Sequence, residues 1–87
     1  YYLAMTYYYE SDYKTAQFEF KALQRDFPES PFVVRAAFWN GEAWFYRKQY
    51  REAIESHSAF VRKNRENILS ASALYTIGYI YNEQRRY

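Results

Sequence analysis

Small and apolar residues recur every three or four positions along most of the chain. Val34, Ala37, Gly41 and Trp44 form one such series, and Tyr50 opens the next. This spacing places the side chains on one face of an α-helix. The pattern predicts five helices, over about 1–10, 13–26, 31–47, 50–64 and 67–85.

Short polar turns separate the two helices of each predicted pair. They lie at residues 10–12, 47–49 and 84–86. Asp12 is typical of a residue that caps the N-terminus of the helix that follows it. Connections this short make the two helices antiparallel neighbours.

The segment 27–31 ends one helix and begins the next. Pro28 cannot continue a helix, because it has no N–H to donate. Ser30 is suited to cap the new helix, and Pro31 is suited to its first position.

The same pattern returns after 37 residues. Ala4, Gly41 and Gly78 share one register. Further matches are Tyr7, Trp44 and Tyr81, and also Tyr13, Tyr50 and Tyr87. The sequence therefore predicts two-helix repeats over about 1–29, 30–66 and 67–87, within a single array that covers 1–87.

The repeat also predicts where the helices approach most closely. Glycine inside a helix costs about 1 kcal/mol relative to alanine, so Gly41 and Gly78 imply a packing reason. We expect Gly41 to face Ala53, as Ala4 faces Ala16 in the first repeat. We expect the tyrosine that opens each second helix to wedge between consecutive hairpins.

Composition narrows the class of protein. The 87 residues suffice for one small domain, and 49% of them are hydrophobic. The chain has no cysteine, which excludes disulfides and thiolate metal sites. A net charge of +2 gives no electrostatic case for nucleic acid or an anionic membrane. No apolar run reaches the roughly 20 residues that span a bilayer, so no transmembrane segment is predicted.

Aromatic residues are unusually frequent, with 12 tyrosines, 7 phenylalanines and 2 tryptophans. Their rings supply apolar area, and the tyrosine hydroxyl needs water or a polar partner. We therefore expect many half-buried rings at helix seams and along a surface groove.

The sequence shows no pattern for catalysis, metal binding or a cofactor. His57 is the only histidine, and its neighbours one turn away, Ala53 and Val61, cannot bind a metal. Its place on an apolar helix face predicts a packed, neutral histidine. Both glycines lie inside predicted helices, so no glycine-rich loop can hold a phosphate. We expect neither an enzyme nor a small-molecule substrate.

The sequence Asn-Gly-Glu-Ala-Trp-Phe at 40–45, followed by Tyr-Arg-Glu-Ala-Ile at 50–54, resembles the core of a tetratricopeptide repeat. The likeness extends over nearly the whole chain. Two departures are the period of 37 instead of about 34 residues and Asn40 in place of leucine. The resemblance implies an all-α solenoid of helical hairpins, about two and a half repeats long, that serves as a scaffold for protein binding.

In the resembling family, the first helix of each hairpin lines a concave binding surface. When the groove positions of the family are carried over by register to this chain, most of them are aromatic and few are charged. Aromatic residues and arginine are frequent in binding hot spots, so the resemblance implies a groove for a protein or peptide. The predicted groove residues are Tyr1, Met5, Tyr8, Tyr9, Arg35, Phe38, Glu42, Phe45, Tyr46, Ser72, Tyr75, Tyr79, Asn82 and Glu83.

Some members of the family clamp the C-terminal carboxylate of a chaperone with cationic side chains. The matching positions in this chain are Tyr1, Met5, Trp39, Ser72 and Thr76. None of them is cationic, so we do not expect a receptor for chaperone tails.

The segments 1–8 and 26–32 are similar to bacterial envelope members of the family, those of outer-membrane assembly and of the Tol–Pal system. This narrower resemblance implies a location in the periplasm or at the outer membrane.

Two other functions stay open at this point. The basic run 62–65 allows a helical-repeat protein that binds nucleic acid, although a solvated helix end is the favoured interpretation. A structural spacer with an empty groove is the second alternative. We expect Leu74, Ile77, Ile80 and Tyr81 to be partly uncovered, which implies a longer array or self-association through that face.

Overall fold

The computed structural model describes residues 1–85, and that part of the chain is all-α. Its five helices, α1 to α5, span Tyr2–Tyr9, Tyr13–Asp26, Val33–Tyr46, Tyr50–Lys63 and Ile68–Gln84. The five predicted helices are confirmed, and their ends differ from the prediction by at most two residues. No helix within residues 1–85 has the length and apolar character needed to cross a membrane.

The residues that precede the helices explain where two of them begin. Oδ1 of Asp12 accepts a hydrogen bond from the N–H of Thr15 at 3.4 Å, as predicted for a cap. Ser30 instead accepts a hydrogen bond at Oγ from the N–H of Phe32 at 3.1 Å. The two residues after Ser30 therefore form a turn, and α3 begins at Val33 instead of the predicted position 31.

Each helix packs against the next one along the chain, and α3 also contacts α5. The turns after α1 and α3 have the same hydrogen bonds. The N–H of Ser11 donates to the carbonyl of Tyr8 at 3.0 Å, and that of Lys48 donates to the carbonyl of Phe45 at 2.9 Å. Ser11 and Lys48 share a left-handed backbone, with φ of 64° and 63°. One turn geometry thus occurs twice, 37 residues apart.

The longer links, over 27–32 between α2 and α3 and over 64–67 between α4 and α5, differ in length but begin with the same hydrogen bond. The N–H of Phe27 donates to the carbonyl of Leu23 at 2.8 Å, and that of Asn64 donates to the carbonyl of Phe60 at 2.9 Å. The second link has no proline, yet it ends its helix with the same hydrogen bond. After the second of these links, α5 contacts α3 as well as α4.

Two clusters of buried side chains hold the helices together. The first joins α1, α2 and α3 around Phe20 and Ala36, and the second joins α3, α4 and α5 around Phe60 and Ala73. Trp39 packs against both clusters. The alanines of these clusters allow the helices to approach closely, since small side chains shorten the distance between helix axes.

The close contact at Gly41 differs from the predicted one. A Cβ placed on Gly41 would lie 2.6 Å from Cε1 of His57 and 2.7 Å from its Nδ1. The nearest side chain is therefore His57 and not Ala53, because the imidazole one turn further along α4 reaches further than a methyl group. A Cβ on Gly78 would have no atom within 4 Å, and Gly78 is exposed. The packing reason predicted for Gly78 is thus absent among the described residues.

The outer face of α5 is partly uncovered, as predicted. Leu74 is 54% exposed and Tyr81 is 52% exposed. Ile80 is an exception, because it is buried in the core with 1% exposure. Self-association through this face stays a prediction.

Candidate functional site

An open groove runs along the side of the molecule where α1, α3 and α5 come together. Its volume is about 930 Å³, and most of its lining is aromatic. The lining residues are Tyr8, Phe38, Trp39, Glu42, Phe45, Tyr46, Leu69, Ala71, Ser72, Tyr75, Thr76 and Tyr79.

Contacts between rings hold the sides of the groove in place. The ring of Phe45 lies 5.1 Å from that of Tyr46 and 5.6 Å from that of Tyr79 on α5. The ring of Tyr8 on α1 lies 5.1 Å from that of Trp39 and 6.2 Å from that of Tyr46. All four pairs pack edge to face, a geometry worth about 0.5–1.5 kcal/mol per pair beyond burial. These contacts connect the three helices that line the groove.

Tyr13 supports the groove from α2. Its ring stacks on that of Tyr46 with a centroid separation of 5.6 Å and an angle of 15°. Tyr8 also contacts Tyr13, at 5.4 Å. Tyr13 therefore bridges the first and second helix pairs, which is the place predicted for it. Tyr50 contacts Phe45 within its own pair, at 6.0 Å, and Tyr87 lies outside the described residues.

A single carboxylate, that of Glu42, lies in this aromatic surface. Its side chain is 13% exposed. Oε1 accepts a hydrogen bond from the hydroxyl of Thr76 on α5 at 2.7 Å, and it lies 2.9 Å from Nε2 of His57 on α4. Within residues 1–85, nothing donates to Oε2, and no lysine or arginine pairs with this carboxylate. Glu42 on α3 thus links three helices through one of its two oxygens.

The surroundings of His57 fit a neutral imidazole ring. It is 0% exposed, and its Nδ1 is buried without a hydrogen-bond partner. A protonated imidazole has an N–H on both nitrogens and would leave one charged donor unsatisfied. The neutral tautomer instead donates Nε2–H to Glu42 and keeps Nδ1 as an acceptor. The prediction of a packed histidine is confirmed, and no lysine or arginine within residues 1–85 pairs with Glu42.

The charge of Glu42 acts on two neighbouring phenols. Burial raises the pKa of Tyr8, and the Glu42 carboxylate raises it further. Burial and the same carboxylate also raise the pKa of Tyr46. Both causes favour the neutral hydroxyl over the phenolate. The groove therefore combines neutral tyrosines with one negative charge.

Most of the predicted groove residues come together on this surface. Those that line the groove are Tyr8, Phe38, Glu42, Phe45, Tyr46, Ser72, Tyr75 and Tyr79. They belong to three helices, and helix register was enough to place them on one side of the molecule.

The other predicted groove residues are outside the lining. They are Tyr1, Met5, Tyr9, Arg35, Asn82 and Glu83. Met5 is buried in the first core cluster, with 7% exposure, and the ring of Tyr1 stacks on that of Phe32 at 4.8 Å beside it. Much of α1 therefore contributes to the core, and Tyr8 is its only residue in the lining.

Four lining residues were not among the predicted groove residues: Trp39, Leu69, Ala71 and Thr76. Leu69 and Thr76 share a helix face with Ser72, because they lie three and four positions from it. A wider stripe on α5 could therefore have found them. Trp39 could not be found in this way, since its ring serves both the core and the groove.

The described part of the chain has no cluster of three histidine, aspartate or glutamate side chains that could hold a metal ion. No protein-family model, curated protein or solved structure matches this chain. The chemistry of the groove is therefore the basis for assigning a function.

Proposed function

We propose that the chain is a tetratricopeptide-like array of stacked helical hairpins that binds a peptide or a protein in its groove. The repeated turns at Ser11 and Lys48 support the stacked arrangement. The contact between α3 and α5, the first helices of successive hairpins, supports it as well. In such arrays the first helices line the concave surface, and α1, α3 and α5 supply the lining of this groove.

The exposed rings of the groove carry the proposal. Tyr46, Tyr75 and Tyr79 are 51%, 75% and 46% exposed. A large contiguous apolar patch on a protein surface often marks a site where another molecule binds. Tyrosine rings are rigid, so they bury much area on binding and lose little entropy. A polypeptide laid along the groove would cover these rings together.

The lining favours a polypeptide over other ligands. Within residues 1–85, its only charged residue is Glu42, and a carboxylate repels the phosphates of a nucleic acid. Among the described residues, the lining contains no second carboxylate, and the hydroxyl beside Glu42, that of Thr76, donates to Oε1 without a third group that orients the pair, so the proposed role is binding and not catalysis. The proposed location, the bacterial envelope, rests on the resemblance alone.

A peptide-display selection against the immobilised protein tests this function. The selected peptides are then titrated by fluorescence anisotropy against the wild type and against the double variant Phe45→Ala/Tyr46→Ala. Each hot spot is worth at least about 1 kcal/mol, so the double variant should bind about tenfold more weakly or worse. Phe18→Ala is the matched control, because Phe18 is 68% exposed on α2 and outside the groove lining.

The control variant should bind like the wild type. An equal loss in Phe18→Ala, or no loss in the double variant, would show that the peptides bind elsewhere. Because Phe45 contacts three rings, thermal unfolding must first show that the double variant is folded. If it is not, Tyr75→Ala replaces it, since Tyr75 is 75% exposed and has no ring contact within residues 1–85.

A further inference from the structure

The other two repeats have no charge at the position of Glu42. The residues in the same register one repeat earlier and one repeat later are Met5 and Tyr79. Side chains without charge are therefore sufficient at this position in α1 and α5. Glu42 nevertheless places a charge among rings, where it is only 13% exposed. A largely buried charge is costly unless it has a partner of opposite sign. A ligand that supplies this partner would explain the carboxylate.

The carboxylate is already held in place in the free protein. Thr76 and His57 donate to Oε1 from two different helices. His57 is itself fixed, because its ring lies against Gly41 and 5.4 Å from the ring of Phe38. Oε1 thus has two donors, whereas no residue within 1–85 donates to Oε2, and Glu42 lines the groove. A group held in advance loses little entropy when a ligand binds.

Aromatic rings line the groove that contains this carboxylate. Tyr8 and Tyr46 are close enough for the charge of Glu42 to raise their pKa values. Phe45 and Tyr79 line the same groove as Glu42. The faces of such rings attract an ammonium or guanidinium group, and the attraction grows when water is excluded. The rings and the carboxylate therefore favour the same kind of ligand group, a cation on an apolar stem.

We propose that the groove binds a peptide through a lysine side chain whose ammonium group contacts Oε2 of Glu42. This inference rests on the proposed function and names the chemistry of the partner. The fork of an arginine pairs best with both oxygens of a carboxylate. Oε1 already accepts two hydrogen bonds, so only one oxygen is free. An ammonium group needs only one oxygen, and the lysine stem packs along the rings.

Peptide pools that differ only in a fixed central residue test the proposal. The central residue is lysine, acetyl-lysine, norleucine or arginine, and the flanking positions are random. Acetyl-lysine keeps the length but not the charge, and norleucine keeps only the apolar stem. We expect the lysine pool to bind the wild type about tenfold more tightly than either neutral pool, with arginine between them.

Two variants localise the effect. Glu42→Gln removes the charge but keeps an oxygen that can accept from His57 and Thr76. It should abolish the preference for lysine over norleucine and still bind the norleucine pool. Phe18→Ala should keep the preference, because Phe18 lies outside the groove lining.

The outcomes separate this inference from the proposed function. Equal binding of the lysine and norleucine pools to the wild type overturns the lysine contact. Peptide binding in the groove then still stands, provided that both pools bind Phe45→Ala/Tyr46→Ala more weakly. Absence of groove-dependent binding in every pool overturns both proposals. The decisive comparison uses the wild-type protein, so a poorly folded Glu42 variant would not affect it.

Discussion

The imidazole ring of His57 occupies the space that a side chain at position 41 would need, with Cε1 only 2.6 Å from the place of a Cβ on Gly41. The same ring lies 2.9 Å from the carboxylate of Glu42 through Nε2. The glycine therefore lets α4 approach α3 closely enough for His57 to hold Glu42. The close packing of α3 against α4 and the position of the Glu42 carboxylate therefore both depend on this contact.

Gly41→Ala should destabilise the protein. The new methyl group would overlap the ring of His57, which is buried and cannot move away without losing its hydrogen bond to Glu42. Overpacking of this kind costs about 1–3 kcal/mol, and the better helix propensity of alanine returns at most about 1 kcal/mol. We expect the free energy of unfolding, measured with urea, to fall by about 1–2 kcal/mol.

Gly78→Ala is the matched control for that measurement. Gly78 occupies the same register in α5, but a Cβ there would meet no atom within 4 Å. Only the helix propensity changes, so this variant should be more stable by about 0.5–1 kcal/mol. A gain in stability in Gly41→Ala like that expected for Gly78→Ala would refute the contact described for Gly41.

Tyr8 should make the protein lose stability at high pH. Burial and the charge of Glu42 raise its pKa in the folded chain above the ordinary value of about 10. The folded chain then keeps a proton that the unfolded chain releases. The stabilisation is complete below about pH 10 and is lost as the pH rises through the folded pKa.

Urea unfolding of the wild type and of Tyr8→Phe at about pH 8 and about pH 11 checks this expectation. Phenylalanine has no proton to release, so the variant should lose less stability than the wild type between these two values. Tyr46, whose pKa is also raised, is present in both proteins and cancels in the comparison. Equal losses would contradict the environment assigned to Tyr8.

The helices could be predicted because their determinants are local. Spacing of apolar residues, Asp12 and the short turns decide where they begin and end, and the structure has them within two residues of the prediction. The partner of Gly41 could not be predicted in this way. Ala53 and His57 lie one turn apart on the same face of α4, and the angle at which two helices cross decides which of them reaches the glycine.

The residues of the groove could likewise be predicted only in part from local sequence. Register placed Phe45 and Tyr79 in the same groove, and their rings lie 5.6 Å apart because α3 contacts α5. Met5 has the register of Glu42 but is buried, because its side of α1 is covered by the first core cluster. The hydrogen bonds from Thr76 and His57 to Glu42 join three helices and have no signature in local sequence.

The two tryptophans allow a direct test of where a peptide binds. Trp39 lines the groove, whereas Trp44 lies outside its lining. The ring of Trp44 instead has Lys21 and Arg47 over it, with the charged groups 5.7 Å and 4.7 Å from its centre. Because the chain has 2 tryptophans, Trp44→Phe leaves only Trp39 as an emitter, and Trp39→Phe leaves only Trp44.

Titration of these two variants with a selected peptide, followed by tryptophan fluorescence, tests most directly that the groove is the binding site. The emission of Trp39 should shift and reach saturation at the peptide concentration that saturates the anisotropy signal. The emission of Trp44 should stay unchanged at saturating peptide. A shift of Trp44 alone, or an unchanged Trp39 when the peptide is fully bound, would contradict binding in the groove.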